Sequence, residues 1–242
     1  MQKILEVKNV FKNFGFKKVH NGVSFDLNLG ETIGLLGPSG TGKSVLLRSI
    51  IGLEEIDDGE ILYHHQRIDN LTEVELYKIR TRISYSFQNG ALFDSDSVFE
   101  NVAYPLFEHT KLNELEIEQK VMNVLRIINL EGAKDLMPSD LSGGMQKRVG
   151  LARAMILNPE ILLYDEPTAG LDPSNVELVI DVMKKFKEQG ISGILVTHDI
   201  PTALRICDRI LILKDGVINF NGTTEEFENS NDSFVKTFLK YE

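Results

Sequence analysis

The sequence predicts an α/β fold in which a mixed β-sheet is covered by helices. Three observations support this prediction: short apolar segments alternate with helical segments, a glycine-rich segment joins a predicted strand to a predicted helix, and a helix-rich stretch interrupts the alternation. The chain has 242 residues, of which 42% are hydrophobic. This is enough to bury one large core or two small ones.

The first part of the chain predicts mainly antiparallel strands. Polar and apolar residues alternate at 5–10 and at 23–29, and residues 59–67 predict a further strand or hairpin. The continuous apolar run 32–36 is typical of a strand buried on both faces, and residues 83–87 predict another short strand. We therefore expect an antiparallel β subdomain next to the main sheet.

Helical periodicity replaces the strand pattern from about residue 88 to residue 158. This predicts an α-helical subdomain inserted into a core formed by residues 1–87 and 159–222, all within a single domain of residues 1–242. Strand patterns return at 161–164, 193–196, 209–213 and 217–220. A capping-box pattern at Thr223 and Glu226 predicts one C-terminal helix over about 224–242.

Composition excludes several classes of protein. The net charge of −10 argues against broad binding to nucleic acid. No apolar run approaches the roughly 20 residues that a membrane span requires, and residues 1–10 lack the apolar region of a signal peptide. The single cysteine, Cys207, excludes an internal disulfide and favours a packing role. We expect a cytoplasmic protein.

A phosphate-binding loop of the form G-x-x-x-x-G-K-[ST] stands at residues 37–44. It follows the predicted strand 32–36, and the apolar run after it, ended by Gly52, predicts a helix whose N-terminus favours an anion. Lys43 is predicted to reach the β- and γ-phosphates of a nucleotide, and the Ser44 hydroxyl to bind Mg²⁺. The predicted nucleotide-binding residues are Gly37, Pro38, Ser39, Gly40, Thr41, Gly42, Lys43 and Ser44.

A second candidate element is an apolar run at 161–164 that ends in two acids, Asp165 and Glu166. A carboxylate at the end of a strand can hold the Mg²⁺ shell, and Asp165 is the candidate for this role. Glu166 is the candidate for polarising the attacking water. In isolation this pattern is more typical of a strand that runs into a solvated turn, but the phosphate loop favours the catalytic interpretation.

The segment Leu141-Ser142-Gly143-Gly144 completes the pattern. With these motifs the chain resembles, over essentially its whole length, the ATP-binding subunits of ATP-binding-cassette (ABC) transporters, which have a P-loop NTPase (RecA-like) fold. The family usually has Gln where Met145 stands, a change that removes a side-chain amide but no backbone N–H. The resemblance implies a head-to-tail homodimer formed on ATP binding, in which Ser142, Gly143 and Gly144 of one chain contact the ATP held by the other.

The resemblance implies roles for four more residues. Gln88 would meet Mg²⁺ and the attacking water, and His198 would contact the γ-phosphate. Asp172 would lie in the loop that crosses the dimer interface, and Phe14 would stack on adenine. Without the resemblance these residues would be interpreted as a surface glutamine, an ordinary histidine, a helix start and a core aromatic residue.

The stretch 87–112 and the segments around the motifs are similar to those of Mla/Mce-type ATPases. This resemblance implies phospholipid transport between bacterial membranes, powered by ATP with Mg²⁺ at the cytoplasmic face of the inner membrane. It implies a membrane permease, an Mce-domain lipid-binding protein and a small regulatory subunit as partners. A partly apolar group could seat the permease or could belong to the core. Its members are Ala91, Leu92, Phe93, Val98 and Phe99.

Three alternatives remain open at this stage. An importer for another small solute would keep every catalytic residue and differ in its partners. A non-transport ATPase acting in DNA repair or translation would usually carry two cassettes or a long coiled-coil insertion, and the sequence has neither. A regulatory nucleotide-binding module without turnover is disfavoured because the catalytic set is intact.

Overall fold

A computed structural model describes residues 2–239. The strands and helices, in chain order, are β1 (Lys3–Phe14), β2 (Lys17–Asn28), β3 (Thr32–Leu36), α1 (Lys43–Ile50), β4 (Asp58–Tyr63), β5 (Gln66–Arg67), α2 (Glu73–Arg80), β6 (Ile83–Ser86), α3 (Val98–His109), α4 (Glu114–Ile127), α5 (Gly143–Met155), β7 (Ile161–Asp165), α6 (Pro173–Glu188), β8 (Ser192–Val196), α7 (Ile200–Ile206), β9 (Arg209–Lys214), β10 (Val217–Thr223), α8 (Thr224–Glu228) and α9 (Ser233–Leu239). The described chain divides into two compact units, residues 2–80 with 192–239 and residues 81–191.

The first unit contains an antiparallel sheet in the order β2-β1-β4-β5. Strands β1 and β2 form a long hairpin closed by Gly15 and Phe16. The alternation of buried residues in β1 shifts after Val7, where Asn9 has a left-handed φ of 48° and the register with β2 changes. An extra residue in a strand changes which of the following side chains face inward. The alternation of polar and apolar residues is therefore interrupted at this bulge, which explains why the sequence pattern predicted a shorter strand.

A second set of strands in the first unit has the order β10-β9-β3-β8. Strand β3 is parallel to both neighbours, pairing Leu35 with Val196 of β8 and Leu36 with Ile212 of β9. All five residues of β3 are buried, as expected for a parallel strand covered on both faces. Because these three strands are parallel, the segments that follow them leave the sheet at one edge, where α/β proteins bind ligands.

The second unit contains the parallel pair β6 and β7 and the helices α3, α4, α5 and α6. Helix α5 packs against α3, α4 and α6. Ile161, Leu162 and Leu163 of β7 are fully buried, as are Val149 and Ala152 of α5. The helix-rich stretch predicted between residues 88 and 158 is therefore confirmed, although its description as an insertion into one domain stays a prediction.

The C-terminal segment differs from the prediction of one helix over 224–242. The structure has two short helices, α8 and α9, and residues 240–242 lie outside the described part of the chain. The capping box at Thr223 and Glu226 is present and begins α8. The helix then stops because Ser230 and Asp232 accept hydrogen bonds from the backbone amides of Asp232 and Phe234, a local pattern that competes with a continuous helix.

The predicted α/β class with mixed parallel and antiparallel strands is confirmed. The strand predictions at 32–36, 83–87, 161–164, 193–196, 209–213 and 217–220 each coincide with an observed strand to within a few residues. Within residues 2–239, no helix combines the length and apolar character needed to cross a membrane.

Candidate active site

The phosphate loop leaves the carboxyl end of β3 and runs directly into α1. Its first glycine, Gly37, has no room for a side chain, because a Cβ there would lie 2.2 Å from the carbonyl oxygen of Leu213. Gly42 adopts a φ of 96° at the N-cap of α1, and its Cβ would lie 2.3 Å from Cγ1 of Val19. The glycines at 37 and 42 are therefore required by close packing as well as by backbone conformation.

The N-terminus of α1 has the features of an anion site. No side chain caps it and its first turn contains no acidic residue, so the backbone N–H groups are not competed for by a carboxylate of the helix itself. Pro38, Ser39 and Gly40 at the tip of the loop are exposed. This geometry suits a phosphate group.

Lys43 is buried and its Nζ lies inside the loop. It donates hydrogen bonds to the carbonyl oxygens of Gly37 at 2.7 Å and Pro38 at 3.1 Å. The ammonium group is thus positioned within the turn that the sequence assigned to phosphate binding. Ser44 follows Lys43 in α1 and is partly exposed.

His198 lies at the same edge of the sheet, two residues after β8 ends. It is exposed and shares with Gly37, Pro38 and Ser39 the lining of a cleft of about 660 Å³. Phe234, Thr237 and Phe238 of helix α9 also line this cleft. His198 therefore lines the same cleft as the phosphate loop, whereas its contact with a γ-phosphate stays a prediction.

A histidine that was not predicted from the sequence contacts the end of the phosphate loop. His20 of β2 is buried, and its Nε2 lies 3.1 Å from the carbonyl oxygen of Gly42. Its Nδ1 is buried with no hydrogen-bond partner. Burial lowers the pKa of His20, the hydrogen bond to Gly42 opposes that change, and the charge of Lys12 adds to it. A neutral imidazole therefore packs against the start of α1.

Phe14 ends β1 at the β1–β2 hairpin and is 47% exposed. Lys12 Nζ lies 4.8 Å from the centre of its ring. Phe16, at the turn of the hairpin, is fully exposed. Phe14 is thus not a core residue, and two accessible rings stand at this hairpin as candidates for stacking on a base.

In the second unit, Asp165 is the buried last residue of β7. The hydroxyl of Tyr85 in β6 donates a hydrogen bond of 2.6 Å to its Oδ2. Strands β6 and β7 are parallel and pair Ser86 with Tyr164, so the segments that carry Gln88 and Glu166 leave at the same edge. Gln88 is exposed, as a residue that meets a ligand would be.

Glu166 has a left-handed φ of 50°, unusual for a residue other than glycine or asparagine. Its carbonyl oxygen accepts hydrogen bonds from the backbone amide of Ala169 at 3.2 Å and from Lys147 Nζ at 3.5 Å. Backbone strain of this type is concentrated at functional sites. The role of Glu166 as a base stays a prediction.

The signature segment, Leu141-Ser142-Gly143-Gly144, runs into α5, which begins at Gly143. Ser142 is the N-cap, and its hydroxyl accepts a hydrogen bond of 3.3 Å from the amide of Met145. A side chain at Gly143 would meet nothing within 4 Å, whereas a Cβ at Gly144 would lie 2.3 Å from Asn175 Oδ1. Gly143 is therefore the open glycine of the pair, and Gly144 is needed for the contact between α5 and α6.

Asp172 is the N-cap of α6 and accepts hydrogen bonds from the backbone amides of Ser174 and Asn175. The Asn175 side chain also donates to it, and these bonds hold the pKa of Asp172 below its usual value. Since Asn175 also contacts Gly144, the signature segment and the start of α6 are in contact. The helix-start interpretation of Asp172 is confirmed, and its predicted role across a dimer interface stays a prediction.

The segment after Gln88 packs against α5. A Cβ at Gly150 would lie 2.7 Å from Cα of Gly90, and Arg153 donates to the carbonyl oxygens of Gly90 at 2.9 Å and Ala91 at 2.6 Å. Ala91 and Phe93 are exposed, but Val98 is fully buried at the start of α3. Val98 therefore belongs to the core, one of the two alternatives that the sequence left open for this apolar group.

The residues proposed for Mg²⁺ offer oxygen donors only: a hydroxyl from Ser44, an amide oxygen from Gln88 and a carboxylate from Asp165. Hard oxygen donors with a single carboxylate suit Mg²⁺, which keeps water and substrate phosphate among its ligands. Among residues 2–239, no group of three or more His, Cys, Asp or Glu side chains could hold a metal ion by itself. The donor set thus fits a metal bound together with a nucleotide.

The structure groups the predicted residues within each unit. The first unit brings the phosphate loop and His198 to one cleft, and the second brings the signature segment into contact with α6. Sequence reasoning missed His20, Tyr85 and Lys147. Nothing in the local sequence could identify them, because their contacts are made with residues 19 to 80 positions away.

Comparison with known proteins gives the same picture. A family model described as "ABC transporter" matches residues 20–169. The intermembrane phospholipid transport system ATP-binding protein MlaF of Haemophilus influenzae is 40% identical over 242 residues, covering 100% of this chain and 92% of the relative. The probable ribonucleotide transport ATP-binding protein mkl of Mycobacterium leprae is 41% identical, covering 97% of this chain and 68% of the relative.

A solved structure is also similar. It is the dimeric post-hydrolysis state of the ATP-binding cassette MJ0796 bound to ADP and Pi, with a TM-score of 0.84 and 33% sequence identity. The similarity covers 91% of this chain and 99% of that chain. The resemblance therefore extends to Asp172 and His198 in the relatives' full-length matches, although the family model itself ends before them.

Proposed function

Because this chain belongs to the ABC transporter family, we propose that it is the ATP-hydrolysing subunit of a phospholipid transporter. The observation that carries the lipid assignment is the 40% identity to MlaF, which extends along the whole chain. The chain is an ABC ATPase, and its structural relative was captured with the hydrolysis products ADP and Pi.

For ATP binding, we assign charge neutralisation to the phosphate loop. Lys43, already inside the loop, would turn its ammonium group from the carbonyl oxygens of Gly37 and Pro38 to the β- and γ-phosphates. The uncapped N–H groups of α1 would contact the phosphates as well. Phe14 would stack on adenine.

For hydrolysis, Glu166 would accept a proton from the attacking water and His198 would contact the γ-phosphate. Ser44, Gln88 and Asp165 would hold Mg²⁺. When bound, the ion supplies positive charge that stabilises negative charge developing on the phosphate oxygens. Positioning and electrostatic stabilisation account for most of the catalysis in phosphoryl transfer.

We propose that ATP binding joins two copies of this chain head to tail. Ser142, Gly143 and Gly144 of one copy would contact the ATP of the other, as the dimeric state of the structural relative suggests. Gly143 is exposed and unobstructed, which suits contact with a second molecule. Asp172 would lie at the same interface.

The permease is the proposed membrane partner. Phe93, Tyr104 and Phe107 are exposed aromatic residues in the second unit, with the rings of Phe93 and Tyr104 centred 5.0 Å apart. A cavity of about 480 Å³ in the same unit has Ala91 and Leu92, the two residues before Phe93, in its lining. An exposed apolar group next to a cavity is suited to receive a segment of another protein. This docking would place the chain at the cytoplasmic face of the inner membrane, with an Mce-domain protein and a small regulatory subunit in the same assembly.

A second candidate function is the import of another small solute. It is favoured by the 41% identity to mkl, whose name gives ribonucleotide transport. The two functions share the hydrolytic residues and differ in partners and substrate. The catalytic site therefore cannot discriminate between them.

Purification from the native host in mild detergent, followed by mass spectrometry of proteins and lipids, tests the proposal. We expect a multi-span permease, an Mce-domain protein and bound phospholipid. Recovery of a soluble solute-binding protein without phospholipid would favour the second candidate. Ribosomal or DNA-repair partners would contradict transport altogether.

A further inference from the structure

Lys147 lies on α5, one turn after the signature segment, and is partly buried. Its Nζ donates a hydrogen bond of 3.5 Å to the carbonyl oxygen of Glu166 and a shorter one to the carbonyl oxygen of Ala169. The lysine therefore spans from the signature helix to both ends of the turn that follows β7. Neither the family pattern nor the proposed roles above use this residue.

The turn that Lys147 contacts is conformationally demanding. Glu166 has a φ of 50°, a left-handed conformation that is unfavourable for a residue with a side chain. Internal hydrogen bonds from Ala169 to Glu166 and from Leu171 to Thr168 define the turn, at 3.2 Å each. Lys147 adds a charged donor to a carbonyl that is already part of this pattern.

The electrostatic environment is consistent with a specific contact. Burial lowers the pKa of Lys147, and the negative charge of Glu166 opposes that change. A lysine on a helix surface that makes no specific contact would extend into water, where its charge is solvated. Here the side chain instead gives up part of its hydration to reach two carbonyl oxygens.

We infer that Lys147 is a positioning residue for ATP hydrolysis, because it fixes the backbone of Glu166 to the helix that begins at the signature segment. The inference rests on the proposed role of Glu166. It has a mechanical consequence: a displacement of α5 when Ser142 and Gly143 contact the partner's nucleotide would be passed to the backbone of Glu166 and Ala169. Nucleotide contact at the signature segment of one chain would then change the position of the proposed base, Glu166, in the same chain.

The test compares Lys147→Met, which keeps the length of the side chain and removes the donor, with the wild-type chain. We expect kcat for ATP hydrolysis to fall about 10- to 100-fold while KM changes less than about twofold, since misplacement of a catalytic group affects turnover more than binding. Lys147→Arg keeps a charged donor and should recover part of the loss. Lys147→Gln provides a second test if the methionine variant does not fold.

Lys185 provides a matched control. It is a partly buried lysine of the same unit whose Nζ donates 3.0 Å to the carbonyl oxygen of Ile127, away from the catalytic turn. Lys185→Met should leave both kcat and KM unchanged. Thermal unfolding of all variants separates lost positioning from lost stability.

Two results would overturn the inference. One is wild-type kcat in a folded Lys147→Met variant. The other is equal loss of kcat in Lys147→Met and Lys185→Met with matching losses in Tm, which would assign Lys147 a structural role only. If the wild-type chain itself hydrolysed no ATP, the proposed function and this inference would fall together, whereas an active wild type with an active Lys147→Met overturns the inference alone.

Discussion

Glu166 joins two properties that rarely occur together: a left-handed backbone in a residue with a long side chain, and a position directly after a buried strand that ends in Asp165. The conformation redirects the chain at the end of β7, so that consecutive carboxylates need not point to opposite sides, as they would in a continuing strand. A single residue thus provides both the turn and the proposed base. The left-handed conformation of Glu166 is maintained because the surrounding hydrogen bonds fix the turn.

The first prediction concerns this side chain. Glu166→Gln keeps the shape and hydrogen-bonding capacity of the residue but removes the basic oxygen, so ATP binding should be retained while hydrolysis falls about 10²- to 10⁴-fold. Steady-state phosphate release, with binding of a fluorescent ATP analogue measured in parallel, checks this. Near-normal turnover in the glutamine variant would remove Glu166 from the role of base.

His20 leads to a prediction on pH. Its folded-state pKa lies below the unfolded value of about 6.5, chiefly because burial disfavours the imidazolium. The unfolded chain therefore binds more protons than the folded chain below about pH 6.5, and this contribution to stability is lost as the pH falls. Above about pH 6.5 the His20 side chain is neutral in both the folded and the unfolded state, and its contribution to stability does not vary with pH.

We expect Tm of the wild-type chain to fall between pH 7 and pH 5.5 by more than Tm of His20→Leu, as measured by thermal unfolding at several pH values. His64→Asn, at an exposed histidine whose left-handed backbone asparagine tolerates, should keep the wild-type dependence. Parallel curves for the wild type and His20→Leu would show that His20 does not contribute.

At the scale of elements, the sequence predicted those strands and helices that carry their own signal. The apolar run of β3 and the glycines at Gly37 and Gly42 indicated a strand, a loop and a helix, all of which the structure confirms. The sequence did not reveal the bulge at Asn9, which depends on pairing between strands, or the break between α8 and α9. The close approaches of His20 and Lys147 to the site depend on distant contacts and were unpredictable for the same reason.

Strand β9 leads to an element-scale prediction. Arg209 at its start donates to both carboxylate oxygens of Glu31, at 2.7 and 3.1 Å, and to the carbonyl oxygen of Asp26 at 2.6 Å. The two side chains are only 16% and 11% exposed. Burial alone would raise the pKa of Glu31, but the hydrogen bonds from Arg209 and Asn28 outweigh it and lower the pKa. Through these bonds Arg209 connects β9 with Asp26 in β2 and with Glu31, the residue that precedes β3.

Arg209→Met should lower the free energy of unfolding by about 3 kcal/mol, the lower end for a broken buried pair, because the site is partly open. Urea unfolding at pH 7 measures this. Arg82→Met, at an ion pair with Glu160 whose side chains are 60% and 35% exposed, should have little effect. Equal effects of the two substitutions would contradict the importance of burial.

At the scale of the whole molecule, one chain supplies two half-sites that are proposed to be completed by a second copy. The phosphate loop and His198 face one cleft, while the exposed Gly143 begins a helix whose next residue is packed against Asn175. A substitution at Gly143 can therefore test association without disturbing the fold. Gly144 offers no such test, because a Cβ there would lie 2.3 Å from Asn175 Oδ1.

In the slowly hydrolysing Glu166→Gln background, ATP should convert the monomer to a dimer, and Gly143→Glu should prevent this because a carboxylate would meet the partner's phosphates. The same glutamate should leave the free energy of unfolding within about 0.5 kcal/mol of its starting value, as for an unobstructed surface site. Light scattering with and without ATP measures association. Gly132→Glu, which adds the same charge at another unobstructed glycine, should still dimerise.

The hairpin that exposes Phe14 and Phe16 makes the protein suitable for optical measurement. The chain contains no tryptophan, so a Phe14→Trp or Phe16→Trp variant would carry a single indole, which can be excited at wavelengths that its tyrosines do not absorb. If Phe14 stacks on adenine, ATP should quench the fluorophore at position 14 more strongly than the one at position 16. Nucleotide arrival and departure could then be followed in real time, at millisecond resolution, in the membrane-bound assembly as well as in the isolated chain.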